Sequence, residues 1–511
     1  MSRRLLLALE LVLLVLAGWQ AWEVVAAMAA RWRAPFDLEW MEGATLITGL
    51  RASRGLPFYT PPGPDYIPFI YPPLYAWTLG GLATFFPVDY PLGRGVSIVC
   101  TGLAAAAAYA AARQEKARPA LAIACAALFL TAWDDGGTFY DLVRIDMLSL
   151  ALCAWAVVLA RGDRPWRAVA GGLLLAVAFA AKHHAALLGV PIAIALWARH
   201  GWRRAALFAA SSAGPALAFT VAMQIATDGL FVTYLLGVPS AHGIVAERAL
   251  PTLKNGRLVG AQAELWRALP WSTTAGLLFL LAWPRRLYWG GLAITLLLTV
   301  SLMRGHHGGY LNVLIPALWL QALFPAFVRS ALADATVGWR VLLRRVAPHL
   351  AVVLAGVELV AADTDYAKFR PRPGDAAAHA RFVDELRALP EPLLVPHAPW
   401  AAVQAGKAPS LALIALWDVN HEGGPLVGSV RRIEDAVRDR HWAAVVTTSE
   451  AFGYGLTKHY ERVASLVNAN IPTRTGWNVR LKSVWKPRSG EPAPASDEEP
   501  RRRKKRDRAP R

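Results

Sequence analysis

Charge is scarce in this chain of 511 residues: only 18% of them are Asp, Glu, Lys or Arg, while 55% are hydrophobic. Mean hydropathy is +0.33. A soluble protein of this size needs more polar surface, so a wholly soluble class is excluded and an integral membrane protein is expected. Cysteine is scarcer still. The three cysteines, Cys100, Cys125 and Cys153, all lie inside apolar segments. That excludes a disulfide framework and leaves the compartment open. The inverted internal repeat of a two-halved transporter is not visible. Beyond Asp363 there is no phosphate loop and no nucleophile motif.

What is present is a series of apolar segments from Leu5 to Val360, broken by short polar connections. The stretch from Leu5 to Ala30 is longer than a signal-peptide core, so it reads as an uncleaved first helix. Later segments begin near Pro72, Arg94, Pro119, Ile145, Ala168, His184, Ala205, Trp271, Leu287, Leu311 and Arg345. The expected fold class is an α-helical polytopic membrane protein, with about 11 crossings plus half-helices. Residues 1–362 form this part, with a long first extracytoplasmic loop at 31–71. Residues 363–487 change composition. There "EPLLVPHAPW" and "HWAAVVTTSE" read as strands, and "DAAAHARFVDELRAL" and "SVRRIEDAVRDR" as amphipathic helices. This is the pattern of a small extracytoplasmic α/β domain. Residues 488–511 read as a disordered basic tail.

The net charge of +18 invites a nucleic-acid reading. Basic loops that set membrane orientation explain it better, and no nucleic-acid partner is expected. Placing "RQEKAR" (113–118), "RGDRPWR" (161–167), "RHGWRR" (199–204) and "PRR" (284–286) on the cytoplasmic side requires residues 72–113 to cross only once. The piece before "FFPVDYPLGRG" then becomes a half-crossing. Under this topology the polar clusters share the opposite face: "DLEWMEG" (37–43), "DDGGTFYDLVRID" (134–146), "KHH" (182–184), the loop 228–268 and "RGHHGGYLN" (304–312).

In "DLEWMEG", Asp37 reads as a helix cap, with Glu39 and Glu42 three apart on one helical face. The proline- and aromatic-rich run that follows suits a substrate-facing loop, so the acids are also catalytic candidates. Asp141 and Asp146 supply a second pair of carboxylates. Arg144 between them has the geometry to bind phosphate. Lys182, His183 and His184 interrupt about thirty apolar residues, a functional signal at membrane depth. Arg304, His306 and His307 repeat that chemistry. Adjacent His-His pairs lack the helical spacing of a two-ligand zinc site, so phosphate binding is the preferred reading.

In this order, the acidic loop, "GLPFY", "YPPLY", "RID", "AKHH" and "GGYLNVLIPAL" resemble the GT-C superfamily of membrane glycosyltransferases. That superfamily includes protein O-mannosyltransferases, aminoarabinose transferases of lipid A and RgtA/B/C/D-like bacterial enzymes. The resemblance covers roughly residues 1–330. It implies inverting transfer of a sugar from a polyprenyl-phosphate donor to an acceptor lipid, glycan or protein outside the cytoplasm. The implied location is the bacterial inner membrane, with the active face periplasmic and membrane lipid as a partner. It implies Asp37 as general base, matching the leading acid of the family's loop, with Glu39 and Glu42 holding acceptor or a divalent cation. Lys182, Arg144, Arg304, His183 and His306 are the candidates for the donor phosphate. A flippase for a lipid-linked sugar and a non-catalytic scaffold of the same fold are the alternatives.

Overall fold

The computed structural model describes residues 3–282, 286–333, 339–362, 364–448, 452–466 and 473–489. Most of the basic connection 284–286 and the tail from residue 490 lie outside them. Among the described residues, five helical spans are long and apolar enough to cross a membrane: Arg3–Trp32, Tyr90–Gln114, Trp202–Ala226, Leu287–Gly305 and Leu311–Leu332. Shorter apolar helices stand among them. The 13 residues of Pro119–Thr131 extend only about 20 Å, against an apolar layer of about 30 Å.

The first part of the chain runs α1 (Arg3–Trp32), α2 (Glu42–Ser53), α3 (Leu74–Leu82), α4 (Tyr90–Gln114), α5 (Pro119–Thr131), α6 (Asp146–Ala160), α7 (Pro165–Ala181), α8 (Gly189–His200) and α9 (Trp202–Ala226). α3 has nine residues, too few to cross, and α4 has 25. So the stretch 72–113 contains one half-length helix and one long one. "FFPVDYP" separates them because Asp89 caps α4, its carboxylate accepting from Leu92 N at 2.9 Å. Two ion pairs gather the basic connections at one end of the bundle. Arg161 meets Glu115 at 3.1 Å and Arg199 meets Asp163 at 2.8 Å.

At the other end the chain is irregular. Between α9 and α10 (Ala261–Ala268), strands β1 (Thr252–Lys254) and β2 (Arg257–Val259) form a hairpin. Then follow α11 (Pro270–Ala282), α12 (Arg286–Gly305), α13 (Ile315–Gln321), α14 (Phe324–Ala333) and α15 (Trp339–Ala361). The remaining chain contains α16 (Asp375–Arg387), β3 (Leu393–Leu394), α17 (Pro399–Gln404), α18 (Leu413–Val419), α19 (Arg431–Arg438), β4 (Ala444–Thr447), β5 (Tyr460–Ser465) and β6 (Ser483–Pro487). The sheet order is β3-β4-β6-β5, with β3 and β4 parallel and the other pairs antiparallel.

This α/β unit does not keep its core to itself. One buried cluster joins Leu411, Leu416, Val419, Ile433 and Val445 to Tyr59, Ile67, Phe69, Phe231, Tyr234 and Leu235. The aromatic loop after α2 is therefore packed. Tyr59 donates to Tyr71 O at 2.6 Å, and Tyr234 donates to Thr60 O at 2.9 Å.

Candidate functional site

The site forms where the chain leaves α1. α4 contributes Arg94, which is fully buried. Its guanidinium donates to Arg31 O (3.0 Å), Ala34 O (2.7 Å) and Phe36 O (2.7 Å), holding the turn. It also grips Glu42 through Nε–Oε1 at 2.9 Å and Nη2–Oε2 at 2.7 Å. Leu38 N and Val143 N fill the remaining acceptor positions of Glu42, at 2.7 and 2.9 Å. Burial pushes the Glu42 carboxyl up, but Arg94 and the hydrogen bonds outweigh it and hold it below the ordinary carboxylate value. Glu42 is thus a saturated structural anion.

Asp141 is bound in a similar way. Arg31 Nε lies 2.8 Å from its Oδ2, and Trp133 Nε1 donates to Oδ1 at 3.1 Å. Asp37 accepts from Tyr90 Oη at 2.8 Å and from Gly43 N at 2.7 Å. Gly43 N is an orphan donor in the first turn of α2, so Asp37 works as a cap from six residues away. Burial, followed by the charge of Glu42, raises the Asp37 carboxyl well above its ordinary value.

Glu39 points elsewhere. The sequence placed Glu39 and Glu42 on one helical face, but α2 begins only at Glu42 and Glu39 lies in the preceding bend. The helical period does not apply there, so the two side chains diverge. They do not form a joint cation site. Among the described residues, no group of three or more His, Cys, Asp or Glu is arranged to hold a metal ion. Glu39 Oε2 takes Met41 N at 3.2 Å and faces Arg144 Nη1 at 3.4 Å. Burial raises the Glu39 carboxyl to about 7, against the pull of Arg144.

From Glu39 a row of charges runs inward. Arg144 Nε lies 3.9 Å from Asp146 Oδ2, and Lys182 Nζ lies 2.8 Å from Asp146 Oδ1. Asn312 Nδ2 donates to the same oxygen at 2.9 Å. Lys182 reaches Asp146 because α7 stops at Ala181 and a 3-10 turn over His183–Leu188 precedes α8. The rings of His183 and His184 stand 4.1 Å apart in that turn. An open recess adjoins Arg144, lined by Thr45, Thr48, Phe58, Phe69, Tyr71 and Tyr75 among others. Tyr71 lies within electrostatic reach of Arg144, Lys182, Asp146 and Asp418. Asp418, on α18, is buried, which raises its carboxyl to about 8 despite Arg144.

Two of the candidate phosphate ligands are engaged with other partners. Arg304 is spent on Glu264, at 2.9 and 2.8 Å, and on Gly309 O at 2.8 Å. Such a bidentate pair leaves its fork no free edge for a phosphate. His306 Nε2 pairs with Pro239 O at 3.2 Å, and its ring packs 4.7 Å from that of His242. Sequence reasoning did not single out Arg94, Tyr90, Asn312 or Asp418. The signal for Arg94 was a lone arginine inside an apolar segment. For Asp418 there was none, because its place depends on how the C-terminal unit docks.

Residues 71–227 match the family model described as dolichyl-phosphate-mannose-protein mannosyltransferase. Among solved structures, the chain is similar to ArnT from Cupriavidus metallidurans bound to undecaprenyl phosphate. The TM-score is 0.57 at 16% identity, covering 92% of this chain and 98% of that one. The same protein in the apo state gives a TM-score of 0.55 at 15% identity, with the same coverage. No curated protein sequence matches the chain. The chain thus has the fold of the GT-C membrane glycosyltransferases, as the order of its motifs suggested.

Proposed function

We propose that this protein transfers a sugar from a polyprenyl-phosphate donor to an acceptor hydroxyl outside the cytoplasm, with inversion, in a bacterial inner membrane. The observation that carries the reading is the row Glu39–Arg144–Asp146–Lys182, which sets one carboxylate with a raised pKa beside two cations at the membrane boundary. Glu39, in place of Asp37, is the base. Asp37 Oδ1 is held by Tyr90 and Gly43, whereas Glu39 Oε2 faces the Arg144 guanidinium at the end of the cation row. In the reaction Glu39 takes the proton of the acceptor hydroxyl and the oxygen attacks the anomeric carbon. The bond from that carbon to the phosphate oxygen breaks, and polyprenyl phosphate leaves.

Arg144 and Lys182 are suited to the charge that develops on the leaving phosphate, since fixed donors in a dry site need no reorganisation. Asp146 and Asn312 hold Lys182 in position. His183 adjoins Lys182 in the same turn and is proposed to line the phosphate site. The small apolar recess beside Arg144 marks the side from which a donor could approach. The solved structure with undecaprenyl phosphate bound adds weight to a donor of this class.

The test is mass spectrometry of lipid retained by the purified protein, followed by binding of undecaprenyl phosphate to wild type and Lys182→Ala. A polyprenyl-phosphate sugar in the wild type and weakened binding in the well-folded variant are expected. Undiminished binding by Lys182→Ala would overturn the phosphate assignment.

A further inference from the structure

The hairpin β1–β2 has no evident part in sugar transfer, yet its chemistry is specific. Asn255 and Gly256 join the strands, with φ of 50° and 72°. Two successive positive φ values are those of a type I′ turn, which matches strand twist. Leu253 pairs directly with Leu258, so both side chains stand on one face. They are 73% and 53% exposed. Ile244 and Leu250, close by in sequence, are exposed too. A two-stranded ribbon this short is marginal in water and wants its apolar face covered.

The root of the hairpin fixes its level. Val245 N donates to Gly305 O at 2.6 Å. Gln262 Nε2 bridges Ala249 O at 3.0 Å and Ser301 Oγ at 2.5 Å. Ser301 to Gly305 is the last turn of α12, a membrane helix of 20 residues. The hairpin therefore springs from the level at which α12 leaves the apolar layer. Trp266 and Trp271, both exposed, flank the start of α11. Exposed tryptophans at a helix end mark the headgroup level of a bilayer. Residues 244–259 hold Arg248, Lys254 and Arg257 against a single acid, Glu247, which pairs with Lys254 at 2.6 Å.

We infer that this hairpin is a lipid-binding finger lying on the extracytoplasmic leaflet. Leu253 and Leu258 insert among acyl chains, and Arg248 and Arg257 meet anionic headgroups. A second copy of the chain fits the patch less well. Two leucines at a ribbon tip offer far less than the roughly 800 Å² per partner of a stable protein interface. The inference rests on the membrane placement of α11 and α12, and not on the transfer reaction.

Spin labels on the full-length protein in nanodiscs test it, at Leu253→Cys and Leu258→Cys in separate variants. Ile294→Cys, on the exposed side of α12, serves as the lipid control, and Lys458→Cys as the water control. Accessibility to oxygen and to a water-soluble nickel chelate is read by electron paramagnetic resonance. With phosphatidylglycerol present, labels at 253 and 258 are expected to match 294: open to oxygen and shielded from nickel. Adding Arg248→Ala and Arg257→Ala should raise nickel access at both. Nickel access equal to that at 458 overturns the inference. Exclusion of both reagents indicates a protein partner and also overturns it. Nickel access at 294 itself would overturn the membrane placement as well as the finger.

Discussion

At the residue scale, the acidic loop separates three carboxylates by what each is bonded to. Glu42 is saturated by Arg94 and two backbone amides, Asp37 Oδ1 is held by Tyr90 and Gly43 N, and Glu39 has Met41 N and a longer contact to Arg144 at 3.4 Å. Removing a general base costs about 10²–10⁴-fold in rate. Glu39→Gln is therefore expected to lose transfer by that factor while still binding undecaprenyl phosphate. Asp37→Asn still accepts from Gly43 N, so transfer should stay near wild type. The reverse pattern in a transfer assay would return the base to Asp37. Glu39 also sets a pH dependence. Its carboxyl, raised to about 7, works as a base only when deprotonated. The rate should rise with pH through about 7 and then level off, and kcat/KM reports this for the free enzyme. Stability runs the other way. A carboxyl with a raised folded pKa stabilises the fold below its unfolded value, and loses that contribution as pH rises through about 7.

At the element scale, α4 is tied to the loop between α1 and α2 by one arginine. Arg94 makes five polar contacts there, two of them to Glu42. Arg94→Leu leaves a buried carboxylate unpaired, a change that costs about 3–5 kcal/mol. Arg94→Leu with Glu42→Leu removes both charges and should recover much of that loss in a thermal unfolding measurement. No recovery would mean that the backbone carbonyls, rather than the ion pair, depend on Arg94. A second element effect is the break between α7 and α8. Ending α7 at Ala181 exposes Lys182 to Asp146. A continuous helix would have turned His183 and His184 to other faces.

At the scale of the whole molecule, the C-terminal unit closes over the acidic loop. Gln404 Nε2 donates to Pro35 O at 2.9 Å, Arg474 N to Leu38 O at 2.7 Å and Thr475 Oγ1 to Gly137 O at 2.7 Å. Gly43 lies so close to α17 that a Cβ built on it would stand 2.6 Å from Trp400 Cβ. Gly43→Ala should cost about 1–3 kcal/mol through overpacking, with protease sensitivity rising in the C-terminal unit. Unchanged proteolysis would show that the contact yields freely. Orientation is tested by cysteine labelling in spheroplasts. Lys458→Cys should react with a membrane-impermeant maleimide in intact spheroplasts, and Arg164→Cys only after permeabilisation. The opposite order would invert the topology.

The sequence alone was enough for the membrane class, the break within residues 72–113, the short helices and the α/β character of the C-terminal region. Those follow from local hydropathy, period and capping, which act over a few residues. It also marked "DLEWMEG", Arg144, Asp146 and Lys182, because charge next to apolar chain is conspicuous wherever the chain goes. It could not divide the work among the acids. That division depends on Arg94 arriving from 52 residues beyond Glu42, and on Tyr90 arriving from 53 residues beyond Asp37. Nor could it separate Arg304 from Lys182, since Glu264 neutralises Arg304 across a gap of 40 residues. Partners so distant are chosen by packing, and only the tertiary structure decides which buried charge is saturated and which is left to meet a substrate.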